Sequence, residues 1–409
     1  MSYQTRYFCK VIISRIRLNE TNEINESINW EDMVSLARDN NILPILVEGA
    51  SKYASYTKRQ EYMVELQETM AVVAAQVKRT ESFLRIYGKL AKENIYPLVM
   101  KGLICRQLYG DLCDHRPSSD EDILIRPEQY WKAKEVLISN GYVPQLEVDT
   151  EERLEDLQEV SFFHPVEKLH IELHLNPIGK ENATHIRMNE FFKNVFEHYR
   201  EVEIQGVTVR TMGHYDHFLF LIIHAFKHFL GSGLGIRQLL DILLYQEQFG
   251  DEIDFTQLCE TLKELNAIAF YSDMVHIGNK YFGFHLAAPL KPRCPEELLE
   301  NMMESGTFGS RNEAEKIASN AMRQVSGVHS KGKSSKFIVV VWKSIFPGKE
   351  YMKFQAPYLE EKPWLLPIAW VKRWMNFIRK NKREDGNLAV EGMKTSRRRM
   401  KMLKKYDLM

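Results

Sequence analysis

Between Met100 and Ile125 the chain reads MKGLICRQLYGDLCDHRPSSDEDILI, a Lys-Gly turn followed by two aspartates one residue apart at the head of an apolar run. DEDILI alternates, so it is predicted to be a strand with Asp120, Asp122 and Leu124 on one face and Glu121, Ile123 and Ile125 on the other. PLVM, Pro97 to Met100, is a second short apolar run that ends at Gly102. Two carboxylates side by side on one strand face suit hard divalent cations such as Mg²⁺, which favour oxygen ligands. On its own an Asp-x-Asp is commonly a solvated strand end, so the surrounding residues carry the weight of the reading.

Downstream, KLHIELHL repeats the alternation and puts Glu172 and His174 on one face, with Ile171, Leu173 and Leu175 on the other. PEQYWKAKEVLISNGYVP reads as a helix that ends at Gly141-Tyr142, and EVEIQGVTVRTM as a hairpin turning at Gln205-Gly206. From Trp30 to about Asn94 the pattern is amphipathic and helical, broken near Pro44 and Ser55. After His214 it is helical again, through DHFLFLIIHAFKHFL, GIRQLLDILLYQEQF, FTQLCETLKEL and AFYSDMVHIGNKYFGF. These patterns give an α+β chain in five segments: an N-terminal helical segment (1–90), a mixed α/β domain (91–212), a helical domain (213–305), a polar connection (306–336) and a C-terminal helical, basic tail (337–409). With 409 residues and 44% apolar composition, there is material for a large core and more than one domain.

The formal net charge is zero, so the chain as a whole advertises no nucleic-acid partner. Five cysteines without a Cys-x-x-Cys pair read as reduced thiols, the N-terminal apolar run is interrupted by basic residues, and no apolar run reaches the length of a membrane span. A cytoplasmic location is the expectation. In the tail, WLLPIAWVKRWMNFIRKNKR and SRRRMKMLKK are basic. Peripheral contact with an anionic membrane is one expectation for them. The favoured one is a helix interrupted by Pro367 that packs its Trp and Leu residues and leaves its basic face in water.

The ordered set Lys101-Gly102, Tyr109, Arg116, Asp120-x-Asp122, Gly141-Tyr142, Glu172-Leu173-His174, His224-x-x-x-His228, Arg237 and Asp241 resembles the bacterial uncharacterised nucleotidyltransferases of the DNA polymerase β superfamily. The resemblance runs from about Tyr96 to Tyr245. It implies a nucleotidyltransferase-like mixed sheet flanked by N-terminal helices and a C-terminal helical domain. Asp120 and Asp122 would hold Mg²⁺ or Mn²⁺, and Glu172 would be the third carboxylate. His174 would stand beside Glu172 at the nucleotide, and Lys101 and Gly102 would approach the triphosphate of an NTP, with ATP favoured.

The wider superfamily carries Gly-Ser or Gly-Gly where this chain has Lys101-Gly102-Leu103, so Arg116, Ser118 and Ser119 are the candidates for the missing phosphate contacts. His224 and His228 are expected to pack along the cleft rather than bind zinc, and Arg237 and Asp241, four apart, to form an intrahelical ion pair or to touch substrate. The implied reaction moves NMP from an NTP to a hydroxyl or phosphate of a small molecule, glycan or peptide. The alternatives are a catalytically inactive nucleotide-binding module and a protein-modifying, AMPylating enzyme of toxin or antitoxin type. A nucleic-acid acceptor is least expected, because the basic charge lies in the far tail.

Overall fold

In the computed structural model the described residues are 3–17, 28–155, 157–179, 183–230, 233–306, 346, 348–349, 352, 356–359, 362–383 and 401–408. The polar connection expected at 306–336 lies, apart from its first residue, outside them. So do residues 337–345 and the first part of SRRRMKMLKK.

Five helices precede the sheet: α1 (Tyr3–Ile16), α2 (Trp30–Asp39), α3 (Leu43–Ala50), α4 (Ala54–Thr57) and α5 (Tyr62–Lys92). The break expected at Pro44 falls slightly earlier, at Asn40 to Ile42. Asn41 takes a positive φ there, and Pro44 sits in the first turn of α3, where its missing N–H costs nothing. α5 positions the site. It has no proline over 31 residues. Its buried Phe83, Ile86, Tyr87 and Leu90 recur at helical spacing and join the core cluster beneath the sheet. Tyr87 Oη donates to the Pro97 carbonyl (3.1 Å) and accepts from the Arg210 N–H (2.8 Å), tying α5 to two strands.

The seven strands are β1 (Leu98–Val99), β2 (Asp120–Leu124), β3 (Val143–Pro144), β4 (Glu159–His164), β5 (Leu169–His174), β6 (Tyr199–Ile204) and β7 (Val207–Met212). They form one sheet in the order β3-β4-β5-β2-β1-β7-β6. β2 pairs with β5 and β1 with β7 in parallel, and the other neighbours are antiparallel. The sheet is therefore mixed, and with helices before and after it the architecture is α+β. β6 and β7 are the expected hairpin. Gln205 (φ 50°) and Gly206 (φ 76°) both take positive φ, the two-residue turn whose twist matches the strands it joins.

Short helices α6 (Leu103–Gln107), α7 (Tyr130–Ser139), α8 (Glu151–Glu155) and α9 (Ala183–Glu190) connect the strands. After β7 come α10 (His214–Leu230), α11 (Ile236–Phe249), α12 (Phe255–Glu264), α13 (Ile268–Tyr281) and α14 (Pro295–Ser305). The chain divides into two compact units, one of residues 1–225 and 236–296, the other of residues 226–235 and 297–409. The whole sheet belongs to the first. None of the helices among the described residues is long and apolar enough to cross a membrane.

In the second unit Met352, Ala356, Leu359 and Ala369 form a small buried cluster, and Leu365, Leu366 and Trp370 pack on it. Pro367 does not interrupt the last long helix, α15 (Leu366–Arg383). It occupies the first turn, where no intrahelical N–H bond is lost. The expected packing of the tail tryptophans is met only in part. Phe346 stands edge-on to Trp370 and Trp374, whereas Trp364 is 70% exposed.

Candidate active site

Parallel pairing of β2 with β5 sets Asp122 directly opposite Glu172 and Asp120 opposite His170. The two acids are 50 positions apart in the chain and are joined by a crossover, so only the assembled sheet makes them neighbours. His174 follows on the Glu172 face of β5, and its Nε2 lies 3.0 Å from Asp122 Oδ1 and 3.6 Å from Glu172 Oε2. On its other side Nδ1 is 3.3 Å from Glu159 Oε2 on β4. Lys101, just past β1, brings Nζ to 2.8 Å from the same Asp122 Oδ1. This register holds because Met100 N–H donates to the Asp122 carbonyl, joining the end of β1 to the middle of β2.

Electrostatics follow from that packing. Asp122 is 2% exposed. Burial alone would raise its pKa, but Lys101 and His174 outweigh it and hold the carboxyl well below the usual carboxylate range. Burial likewise works against the His174 cation, yet the hydrogen bond to Asp122 and the nearby Glu172 carboxylate push it up to about 9, an imidazolium at neutral pH. The Lys101 ammonium is opposed by burial and favoured more strongly by Asp122, Asp120 and Glu172, so its pKa is raised. The nearby His174 pulls Glu172 down, while burial and the neighbouring Asp122, Glu159 and Asp120 carry it above its ordinary value.

A stability consequence follows. An imidazole whose pKa rises on folding contributes in full below about 6.5, its ordinary value, and the contribution is lost as pH climbs through about 9. The size is on the order of 3 kcal/mol. In chelator-treated protein the thermal midpoint is expected to fall between about pH 6.5 and 9, and His174→Gln is expected to flatten that segment. Coincident profiles for the two proteins would show that His174 is not charged in the fold.

Asp122, Glu172 and His174 offer ligand atoms within 4.8 Å of one another, and they are the single such group of three among the described residues. The carboxylates of Asp122 and Glu172 are hard oxygen donors for a divalent cation, so the residues fit one, with the charged His174 ring beside them. Asp120 stands outside this close group; its Oδ1 accepts from Ser119 Oγ at 3.0 Å.

The face opposite the acids holds what the sequence reading missed. Glu121 points inward, 1% exposed, with Oε1 2.8 Å from Arg106 Nη1 and Oε2 accepting the Leu103 N–H at 2.8 Å. Arg106 also donates to Ser118 Oγ (2.6 Å) and Thr80 Oγ1 (3.1 Å), and the Ser118 N–H donates to Gln76 Oε1 (2.9 Å). Arg79 Nη1 reaches the Ser118 carbonyl at 3.0 Å. Thus α5 and α6 clamp the turn before β2. A glutamate within the apolar register of DEDILI was the visible signal; nothing in the sequence marked Arg106 or Gln76.

Several expected site residues are placed otherwise. Ser118 is 6% exposed and belongs to this clamp. Gly102 has φ 44°, and a Cβ there would lie 2.1 Å from Glu121 Oε2, so the glycine makes room for Glu121 as well as for any ligand. Arg116, 4% exposed, donates through Nε (2.7 Å) and Nη2 (2.5 Å) to Asp241, which also accepts from Tyr109 Oη at 2.9 Å.

The intrahelical Arg237–Asp241 pair does not form. Asp241 is taken by Arg116, and Arg237 Nη1 donates to the Pro117 carbonyl at 2.5 Å. Burial and the nearby Arg116 bring Arg237 down to about 10. Arg116 Nη1 and Arg237 Nε are buried donors without an acceptor among the described residues.

Of the helical histidines, His217 is fully buried with Nε2 2.5 Å from the Met100 carbonyl, and burial and Arg200 lower it to about 3, a neutral ring. His224 packs on Phe220 with ring centroids 5.6 Å apart, and His228 lies in the second unit.

The profile of a family described as "Uncharacterised nucleotidyltransferase" matches residues 26–283, well over half of the chain. The match takes in α2 to α5, beyond the reach of the motif resemblance, in keeping with the part that Gln76, Arg79 and Thr80 play in the clamp. No curated protein and no solved structure matches.

Proposed function

Because the chain belongs to the uncharacterised nucleotidyltransferase family, we propose that it is a divalent-metal-dependent enzyme that moves NMP from an NTP, ATP first, to a hydroxyl or phosphate of a small molecule, glycan or peptide. The observation that carries the reading is the pairing of Asp122 with Glu172 across adjacent parallel strands, with His174 and Lys101 on the same carboxylate. Asp122 and Glu172 would hold Mg²⁺ or Mn²⁺, with Asp120 adding charge two residues along the same strand face. Bound there, the metal supplies Lewis-acid stabilisation of the charge that develops on the phosphoryl oxygens.

The chain's own residues do the rest. Lys101 places one positive charge where the triphosphate meets the carboxylates. Arg116 Nη1 and Arg237 Nε are the donors at hand for further phosphate oxygens, each fixed by a bond its other nitrogens make. Glu172, opposite Asp122, would accept the proton of the acceptor hydroxyl, and the His174 imidazolium orients Asp122 and stands beside Glu172.

The test is pyrophosphate release with each of the four NTPs and Mg²⁺ or Mn²⁺, with and without cell extract as the acceptor source. Release that needs both metal and extract is expected. Tight metal-dependent nucleotide binding with no release in any combination would instead mark a binding module.

A further inference from the structure

Two donors share one oxygen. Lys101 Nζ (2.8 Å) and His174 Nε2 (3.0 Å) both address Asp122 Oδ1, and a carboxylate oxygen has two lone pairs to offer. The two are not held alike. His174 is 3% exposed and fixed from behind by Glu159, whereas the Lys101 side chain keeps 21% exposure and ends a flexible four-carbon stem. Its backbone is fixed, since the turn at Gly102 is braced by Glu121 through the Leu103 N–H. The ammonium can therefore leave Asp122 while its Cα stays in place.

We propose that Lys101 and a divalent cation compete for Asp122 Oδ1, and that the triphosphate of an incoming nucleotide ends the competition by drawing the ammonium to itself. The proposal rests on the nucleotidyltransferase reading. It gives the site a loading order: metal alone binds weakly against a resident positive charge, and metal with nucleotide binds well. The ion pair thereby guards the acidic cluster against metal that arrives without substrate. No covalent step is involved; one cation replaces another on the same oxygen.

The experiment is Mn²⁺ binding to the full chain, followed by the electron paramagnetic resonance of free Mn²⁺, with and without an α,β-methylene ATP analogue and corrected for Mn²⁺ held by the analogue alone. Without nucleotide, Lys101→Met is expected to bind Mn²⁺ at least about tenfold more tightly than wild type, because a unit charge within a few ångströms has been removed. Lys101→Gln, a second neutral variant should the first fold poorly, is expected to do the same, and Lys101→Arg to behave like wild type.

The analogue is expected to tighten Mn²⁺ binding about tenfold in wild type and much less in the neutral variants. Equal nucleotide-free Mn²⁺ affinity in wild type and both neutral variants would overturn the competition. An analogue that binds none of the proteins would overturn the triphosphate step together with the functional reading, and the nucleotide-free comparison would still judge the competition.

Discussion

Asp122→Asn is expected to lower pyrophosphate release by about 10³-fold or more. The residue is the one that β2, β5 and the Lys101 turn all converge on: it faces Glu172, accepts from His174 and pairs with Lys101. The amide is nearly isosteric, so the sheet register should survive, but a neutral oxygen is a poor ligand for a hard cation. Metal ligation supplies several kcal/mol of transition-state stabilisation, and about 4 kcal/mol corresponds to about 10³-fold at 1.36 kcal/mol per decade. The same substitution leaves Lys101 and His174 without their shared anion, so the His174 pKa should drop towards its ordinary value, which a pH titration of the histidine NMR signals would read. Rates are to be compared at equal folded fraction. Wild-type turnover in this variant would remove Asp122 from the chemistry and with it the proposed metal site.

Glu121→Ala is expected to give the largest loss of stability, about 3–5 kcal/mol, the range for breaking a buried ion pair by removing one partner. Glu121 and Arg106 are each 1% exposed. Without the carboxylate, Arg106 keeps Ser118 and Thr80 as acceptors but has no anion, and the Leu103 N–H loses its acceptor. Both losses fall on the turn that carries Lys101. Urea unfolding should therefore show a lowered midpoint in Glu121→Ala, and Arg106→Met combined with Glu121→Met should recover part of it, since a pair replaced by apolar groups leaves no charge stranded. An unchanged midpoint in Glu121→Ala would mean that water, not the clamp, satisfies these groups.

Much of this region was legible before any tertiary information. The alternation in DEDILI and IELHL identified β2 and β5 and the faces on which Asp120, Asp122, Glu172 and His174 lie, because strand side chains alternate whatever the strand pairs with. Gln205-Gly206 marked the hairpin, because two successive positive φ values favour such residues. Asp241 and Arg237 misled for the complementary reason. Spacing of four allows a helical ion pair, but Arg116, 125 residues from Asp241, offers a buried bidentate partner that spacing cannot reveal.

By itself, then, the sequence determined the local periodicities: which residues make strands and helices, and which acids share a strand face. Those depend on backbone geometry over a few residues. The tertiary structure alone decided that β5 lies parallel beside β2, so that Glu172 comes opposite Asp122. It also decided that Glu121 turns inward to Arg106, that Arg116 is given to Asp241, and that Lys101 and His174 meet on one oxygen. Each of these pairs residues distant in the chain or across a fold-dependent interior. There, burial makes the choice of partner costly to change, and local pattern carries no record of it.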